Sequence, residues 1–149
     1  MSYTHLLFDH DGVLVNTEPL YLLAIQEQLT NLGITLIETD YIQNMAVGAD
    51  PWALARAAGC DEATVDQLRD ARDARYQQLL STRPITIAGV DDLIAELAKH
   101  FQLAIVTTSR DVDFDLIHAL DGQPRTSTTP TSCATWISFS SAPTIKTAS

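Results

Sequence analysis

Apolar positions in the chain follow two different periods. Residues 3–8, which end in Leu6, Leu7 and Phe8, and the apolar run at 102–106 are typical of short buried strands. Between them, residues 16–83 carry apolar side chains at helical spacing, interrupted by Gly33 and Gly59, which predicts several helices. Amphipathic helices are also predicted at residues 90–100 and 111–120. The order of strand, helical segment, helix, strand and helix predicts an α/β fold with a helical insertion.

The last segment of the chain, residues 121–149, has another composition. It contains thirteen Ser or Thr, three Pro and a single acidic residue, Asp121, without a helical or alternating apolar period. We therefore predict three regions: a partial α/β core at 1–15 and 84–120, a helical lobe at 16–83, and an irregular tail at 121–149.

Charge and composition exclude several classes of protein. The net charge of −10 disfavours a nucleic acid partner, since binding to the phosphate backbone needs a clustered basic surface. No apolar run approaches the roughly 20 residues that cross a bilayer, and the N-terminus lacks the pattern of a signal peptide. Two cysteines, Cys60 and Cys133, match no disulfide framework or metal spacing. These features predict a cytoplasmic protein that has no membrane partner.

Two carboxylates, Asp9 and Asp11, follow the first predicted strand and precede Gly12. The carboxyl ends of strands in open α/β sheets are where ligands bind. Phosphoryl transfer through a carboxylate needs an ionised nucleophile, a proton donor and a cation, and the two acids could supply the first two. An acidic turn without catalytic function explains the same three residues. A calcium loop is excluded, because its glycine belongs at position six and a glutamate at position twelve.

The wider string at residues 7–19, LFDHDGVLVNTEP, closely resembles the first motif of the haloacid dehalogenase superfamily. The branch that it resembles is that of the phosphoglycolate phosphatases and β-phosphoglucomutases, which carry a helical cap after this motif. Residues 88–90 and 107–109 resemble the return to the core and the second motif. The resemblance covers about residues 4–120 and implies a Rossmann-like core, incomplete here, with an inserted α-helical cap.

This resemblance implies a role for five residues. Asp9 would attack phosphorus and form an aspartyl-phosphate, while Asp11 would protonate the leaving group and then activate water. Magnesium would be held by the Asp9 carboxylate and the Asp11 backbone carbonyl. Gly12, Thr107 and Thr108 would bind the phosphoryl group. The implied activity is a Mg²⁺-dependent phosphatase that acts on small phosphorylated metabolites. Apart from the resemblance, the four histidines have no metal spacing, and we expect His10 to tune the site or to line its entrance.

Two further motifs of the superfamily have no counterpart in the chain. Lys146 is the only lysine after Thr107 and no proline follows it, and no acid occurs after Asp121. We interpret the tail as a truncated or frame-shifted C-terminus. The alternative function is therefore an impaired or inactive fragment that acts at most as a binding or interaction module, with self-association through exposed core surface. A receiver-type phosphoacceptor domain is a third alternative.

Overall fold

A computed structural model describes residues 3–118 and 135–139 of the chain. It contains a small mixed sheet with helices, and the α/β fold class predicted from the sequence is confirmed. The elements in chain order are β1 (His5–Phe8), α1 (Glu18–Thr30), α2 (Glu38–Ala46), α3 (Ala53–Ala57), α4 (Glu62–Thr82), α5 (Val90–Leu97), β2 (Gln102–Thr107), α6 (Asp111–His118) and β3 (Thr135–Phe139). No helix within the described residues is long and apolar enough to cross a membrane.

The chain divides into two compact units. Unit 1 comprises residues 1–17 and 80–149, and unit 2 comprises residues 18–79. In unit 1, strands β1 and β2 pair in parallel, with Phe8 opposite Ile105. Apolar side chains from the first turn, α5, β2 and α6 form its core, namely Leu14, Ile94, Leu103, Ile105 and Phe114. The parallel pairing places the ends of β1 and β2 side by side, at the edge where Asp9 and Thr107 lie.

The third strand differs from the sequence prediction. Residues 135–139 form β3, which pairs with β2 in antiparallel orientation and in register from Leu103 opposite Phe139 to Thr107 opposite Thr135. The prediction of an irregular tail is therefore wrong for these five residues. A segment that has no apolar alternation of its own can still form a strand when it pairs with a neighbouring strand. Lys146 lies outside the described residues, as does the rest of the predicted tail.

Unit 2 is helical throughout its described elements. Apolar residues of α1 at helical spacing, Leu22, Ile25 and Leu29, are buried against side chains of the following segments. The other buried members of this core are Leu36, Tyr41, Trp52, Ala55 and Val65. Gly33 ends the turn after α1 with φ +74°, a left-handed conformation that a residue with a Cβ rarely adopts.

The chain passes twice between the two units, and the two connecting segments are hydrogen-bonded to each other inside unit 1. Val15 and Thr86 form an isolated antiparallel bridge. Next to it, the backbone N–H of Asn16 donates to the carbonyl of Ile85 at 2.7 Å. The helical unit is thus an insertion whose entry and exit segments are hydrogen-bonded to each other. This pairing also fixes the loop that carries Asp9 and Asp11.

Candidate active site

Backbone hydrogen bonds, most of them to the His10 carbonyl, stabilise the turn after β1. The His10 carbonyl accepts backbone hydrogen bonds from Leu14 at 2.9 Å and Val15 at 3.2 Å, and Gly12 donates to the Val15 carbonyl at 2.8 Å. Gly12 has φ +75°, so a residue with a Cβ would be strained at this point of the turn. The tight curl places both acids of the motif just beyond the carboxyl end of the strand.

Asp9 is the exposed acid of the pair. Its Oδ1 accepts the backbone N–H of His10 at 2.7 Å, which fixes the carboxylate at the strand end. Among the described residues, no side chain donates a hydrogen bond to Asp9. One carboxylate oxygen therefore stays available for a ligand or for attack on an electrophile.

Asp11 is held from three sides. Its Oδ1 accepts the hydroxyl of Thr17, and its Oδ2 accepts the hydroxyl of Ser109, which follows β2. Nδ1 of His10 lies 3.4 Å from Oδ2, a close electrostatic neighbour without the alignment of a hydrogen bond. The Asp11 side chain keeps about a third of its surface exposed (34%). It is thus a fixed, partly accessible group rather than a mobile surface acid.

The surroundings of Asp11 lower its pKa. Burial is the largest single influence and raises the pKa, because it disfavours the charged form. Interactions with His10, Ser109 and Thr17 together outweigh burial and bring the pKa from 3.8 to about 2. Asp11 is consequently ionised at neutral pH in the free chain. A carboxylate with such a low pKa is a weak base, and a further influence must raise its pKa before it can hold and donate a proton.

The end of β2 carries a second hydrogen-bonded group. Thr107 is buried, and its hydroxyl donates to the Ser109 hydroxyl at 2.9 Å while accepting the Ser109 backbone N–H at 3.0 Å. Thr108 is exposed beside it. Because Ser109 in turn donates to Asp11, a chain of hydroxyls runs from Thr107 to the acidic turn. The two strand ends are thereby connected through side chains.

Residues 6–118 match the family model of the haloacid dehalogenase-like hydrolases, which is about three quarters of the chain. The chain belongs to this family. In this dehalogenase-like hydrolase, the matched region includes β1, the acidic turn, the helical insertion, β2 and α6.

Individual relatives resemble the chain over the same part. An uncharacterised protein from Lacticaseibacillus casei, encoded in the fgs 3′ region, is 29% identical over 119 residues, which are 78% of this chain and 55% of the relative. The structure of CbbY from Rhodobacter sphaeroides in complex with phosphate aligns with a TM-score of 0.58 at 24% identity, over 77% of this chain and 55% of CbbY. YfnB from Bacillus subtilis, bound to magnesium, aligns with a TM-score of 0.57 at 21% identity, over 78% and 58%. The two structures share the fold, and the chain spans about half the length of each of these proteins.

The donor chemistry of the acidic turn fits a hard divalent cation. The Asp9 carboxylate has an available oxygen, and among the described residues no backbone N–H donates to the Asp11 carbonyl. Oxygen donors of this kind suit Mg²⁺, which usually keeps several waters and binds through one or two carboxylates and substrate phosphate. Within residues 3–118 and 135–139, no group of three or more His, Cys, Asp or Glu side chains could hold a metal. The family hydrolase thus offers two protein ligands from this turn.

Sequence reasoning left two roles open for His10 and missed other residues. His10 was expected to tune the site or to line its entrance; its side chain is fully buried (0% exposed), so it does not line the entrance, and its Nε2 lies 2.7 Å from Nε2 of His118 on α6. Thr17 and Ser109 were not predicted to touch Asp11. The sequence offered one signal for them: each is a hydroxyl residue that lies shortly after a motif, Thr17 after the acidic turn and Ser109 after β2. The catalytic and phosphate-binding roles of Asp9, Asp11, Gly12, Thr107 and Thr108 remain predictions.

Proposed function

We propose that this family member hydrolyses small phosphate monoesters through an aspartyl-phosphate on Asp9, with Mg²⁺ as cofactor. The observation that carries the proposal is the acidic turn itself. Asp9 is exposed with an oxygen available, and Asp11 is fixed two residues away by Thr17 and Ser109. Phosphate bound to CbbY and magnesium bound to YfnB, two proteins of the same fold, support this choice of substrate and metal.

The first half-reaction uses Asp9 as nucleophile. A carboxylate oxygen of Asp9 would form a bond to phosphorus while the bond from phosphorus to the ester oxygen breaks. The leaving oxygen needs a proton, which protonated Asp11 would supply. Because the pKa of Asp11 is lowered in the free chain, this role requires the negatively charged substrate to raise it again.

The second half-reaction regenerates the enzyme. Asp11, now ionised, would take a proton from a water molecule that attacks phosphorus, and the bond between phosphorus and Asp9 would break to release inorganic phosphate. The hydrogen bonds of Asp11 to Thr17 and Ser109 support this role because they fix the position of the carboxylate. Thr107, Thr108 and Gly12 are the proposed phosphate-binding residues.

Magnesium would be held by the Asp9 carboxylate and the Asp11 backbone carbonyl. When bound, it supplies positive charge that offsets the repulsion between nucleophile and phosphate.

Small phosphorylated metabolites are the proposed substrates. The net charge of −10 supports the absence of a nucleic acid partner, and the two isolated cysteines support a cytoplasmic location, with no membrane partner.

The test is hydrolysis of p-nitrophenyl phosphate by the 149-residue chain with Mg²⁺. We expect Asp9→Asn to lower the rate by on the order of 10³-fold, since the nucleophile is lost. Asp92→Asn is the matched control, because it removes the same charge from an exposed position in the first turn of α5. Equal rates for Asp9→Asn and the unaltered chain would contradict the proposal. Chelation of Mg²⁺ should also stop the reaction.

A second candidate is a phosphate-binding protein without turnover, the impaired fragment that the sequence suggested. It is favoured by the small donor set, since the described residues contain no third acidic ligand next to Asp9 and Asp11. Calorimetric titration with inorganic phosphate and Mg²⁺ separates the two candidates. Binding without hydrolysis supports the second, and binding together with hydrolysis that depends on Asp9 supports the first.

Self-association is the interaction that we propose for unit 1. Its support is the apolar surface around β1, where Leu7 is 58% exposed and Tyr3 is 82% exposed. Exposed apolar positions on a strand are a common route to association. Sedimentation velocity should show oligomers that Leu7→Lys reduces, whereas an unaltered monomeric chain would exclude this interaction.

A further inference from the structure

Ser109 lies between the acidic turn and the end of β2, and its hydroxyl contacts both. That hydroxyl donates to Oδ2 of Asp11, which is 98 positions away in sequence. It also accepts the hydroxyl proton of Thr107, with 2.9 Å between the two oxygens. The backbone N–H of Ser109 adds a third bond, to Oγ1 of Thr107 at 3.0 Å. One residue is thus hydrogen-bonded to a site group from each strand end.

The number of hydroxyl protons fixes the direction of this chain of hydrogen bonds. The hydroxyl of a serine or threonine has a single proton to donate, and its oxygen can accept further bonds. Because Ser109 donates its proton to Asp11, Thr107 is the donor in the bond between the two hydroxyls. The Thr107 hydroxyl therefore has no proton left for another acceptor while the chain of hydrogen bonds is intact.

This arrangement affects the phosphoryl group that Thr107 is proposed to bind. Phosphoryl oxygens are acceptors, so Thr107 can donate to one of them only after its proton turns away from Ser109. Thr107 is buried, and its Oγ1 keeps the bond from the Ser109 backbone N–H, so the oxygen stays in place while the proton turns. A bound phosphoryl group and the Ser109 hydroxyl therefore compete for the same proton.

We propose that Ser109 is a positioning residue that couples the binding of a phosphoryl group at Thr107 to the position of the Asp11 carboxylate. Hydrogen bonds in a chain strengthen one another, so Asp11 is held most firmly while Thr107 donates to Ser109. When a phosphoryl group takes the proton of Thr107, the bond from Ser109 to Asp11 weakens, and the carboxylate is freer to approach the leaving oxygen. The importance of this coupling for turnover rests on the proposed function.

The first measurement is the ¹³C signal of the Asp11 carboxylate in the metal-free 149-residue chain at neutral pH, with the aspartate side chains labelled. Asp11→Asn assigns the signal. We expect Ser109→Ala to shift it, because a hydrogen-bond donor to the carboxylate is lost. Ser109→Thr keeps a hydroxyl and should leave the signal close to that of the unaltered chain. A signal that does not move in Ser109→Ala would overturn the proposal.

The same variants test the competition for the Thr107 proton. Ser109→Ala keeps the backbone N–H but frees that proton, so inorganic phosphate with Mg²⁺ should bind as tightly as before or up to about tenfold more tightly in a calorimetric titration. For p-nitrophenyl phosphate, kcat should fall by roughly tenfold to a hundredfold because Asp11 is less well positioned, while KM does not rise. Ser109→Thr should restore both values.

The separation of kcat from KM distinguishes positioning from a merely structural role. An unchanged kcat in Ser109→Ala, or a fall in kcat together with a rise in KM, would overturn the proposal. Thr39→Ala is the control, since it removes a hydroxyl from an exposed position on α2 and should change neither value. If the unaltered chain shows no hydrolysis, the proposed function fails, and the carboxylate signal of Asp11 still decides the role of Ser109.

Discussion

The two units bury different kinds of side chain. All five buried polar or charged side chains among the described residues lie in unit 1, namely His10, Thr17, Thr107, Asp113 and His118. The core of unit 2 consists of apolar and aromatic residues, and its arginines form ion pairs near the surface, such as Arg75 with Glu27. A buried polar group needs a partner of defined position, whereas an apolar core needs mainly volume and pattern. The difference indicates that unit 2 is stabilised mainly by apolar packing, whereas unit 1 contains the candidate active site.

The largest effect on stability should come from the core of unit 2. Among the described residues Trp52 is the largest buried side chain, with 2% of its surface exposed, so Trp52→Ala should cost about 3–5 kcal/mol of unfolding free energy. Urea denaturation followed by far-UV circular dichroism measures this loss. Leu54→Ala is the control, because Leu54 lies on α3, which begins directly after the N-cap residue Trp52, with 39% of its surface exposed. Similar losses in the two variants would contradict the packing described for unit 2.

An intermediate effect is expected for a polar group in unit 1. Thr107→Val keeps the shape of the side chain but removes the hydroxyl that accepts the Ser109 N–H and donates to its hydroxyl. The loss should be about 1–3 kcal/mol, since the partly buried N–H and hydroxyl of Ser109 each lose a hydrogen bond. The exposed neighbour provides the control, and Thr108→Val should change the unfolding free energy by less than about 0.5 kcal/mol. A Thr107→Val variant as stable as that control would show that this network does not stabilise unit 1.

The smallest effect concerns the charge on Asp11 and depends on pH. Its pKa is lowered from 3.8 to about 2 in the folded chain, so its charge stabilises the fold above pH 3.8, and this contribution disappears as pH falls towards 2. Because the side chain is about a third exposed, we expect about 1 kcal/mol. The difference in thermal stability between the unaltered chain and Asp11→Asn should narrow as pH is lowered from 6 to about 2. If the difference in thermal stability stayed constant over that pH range, the charge of Asp11 would be excluded as its origin.

Periodicity in the sequence predicted the helices of unit 2 and the two strands β1 and β2, because each depends on local apolar spacing. The motif likewise placed Asp9 and Asp11 at a strand end. The contacts of Asp11 with Ser109, and of His10 with His118, join residues about a hundred positions apart, so no local pattern reports them. Strand β3 was missed for a similar reason, since its pairing with β2 is a tertiary interaction.

The insertion of unit 2 between the paired strands has a consequence for how the chain folds. His5 pairs with Gln102, so β1 and β2 can meet only after a long loop closes, and the entropy of closing a loop grows with its length. Contacts within unit 2 join residues that are closer in sequence, such as Glu27 and Arg75, which are 48 positions apart, so the loops that they close cost less entropy. Once that unit has folded, the bridge between Val15 and Thr86 can join its two ends and bring the strands within reach. We therefore expect the helical insertion to fold first and the pairing of β1 with β2 to follow.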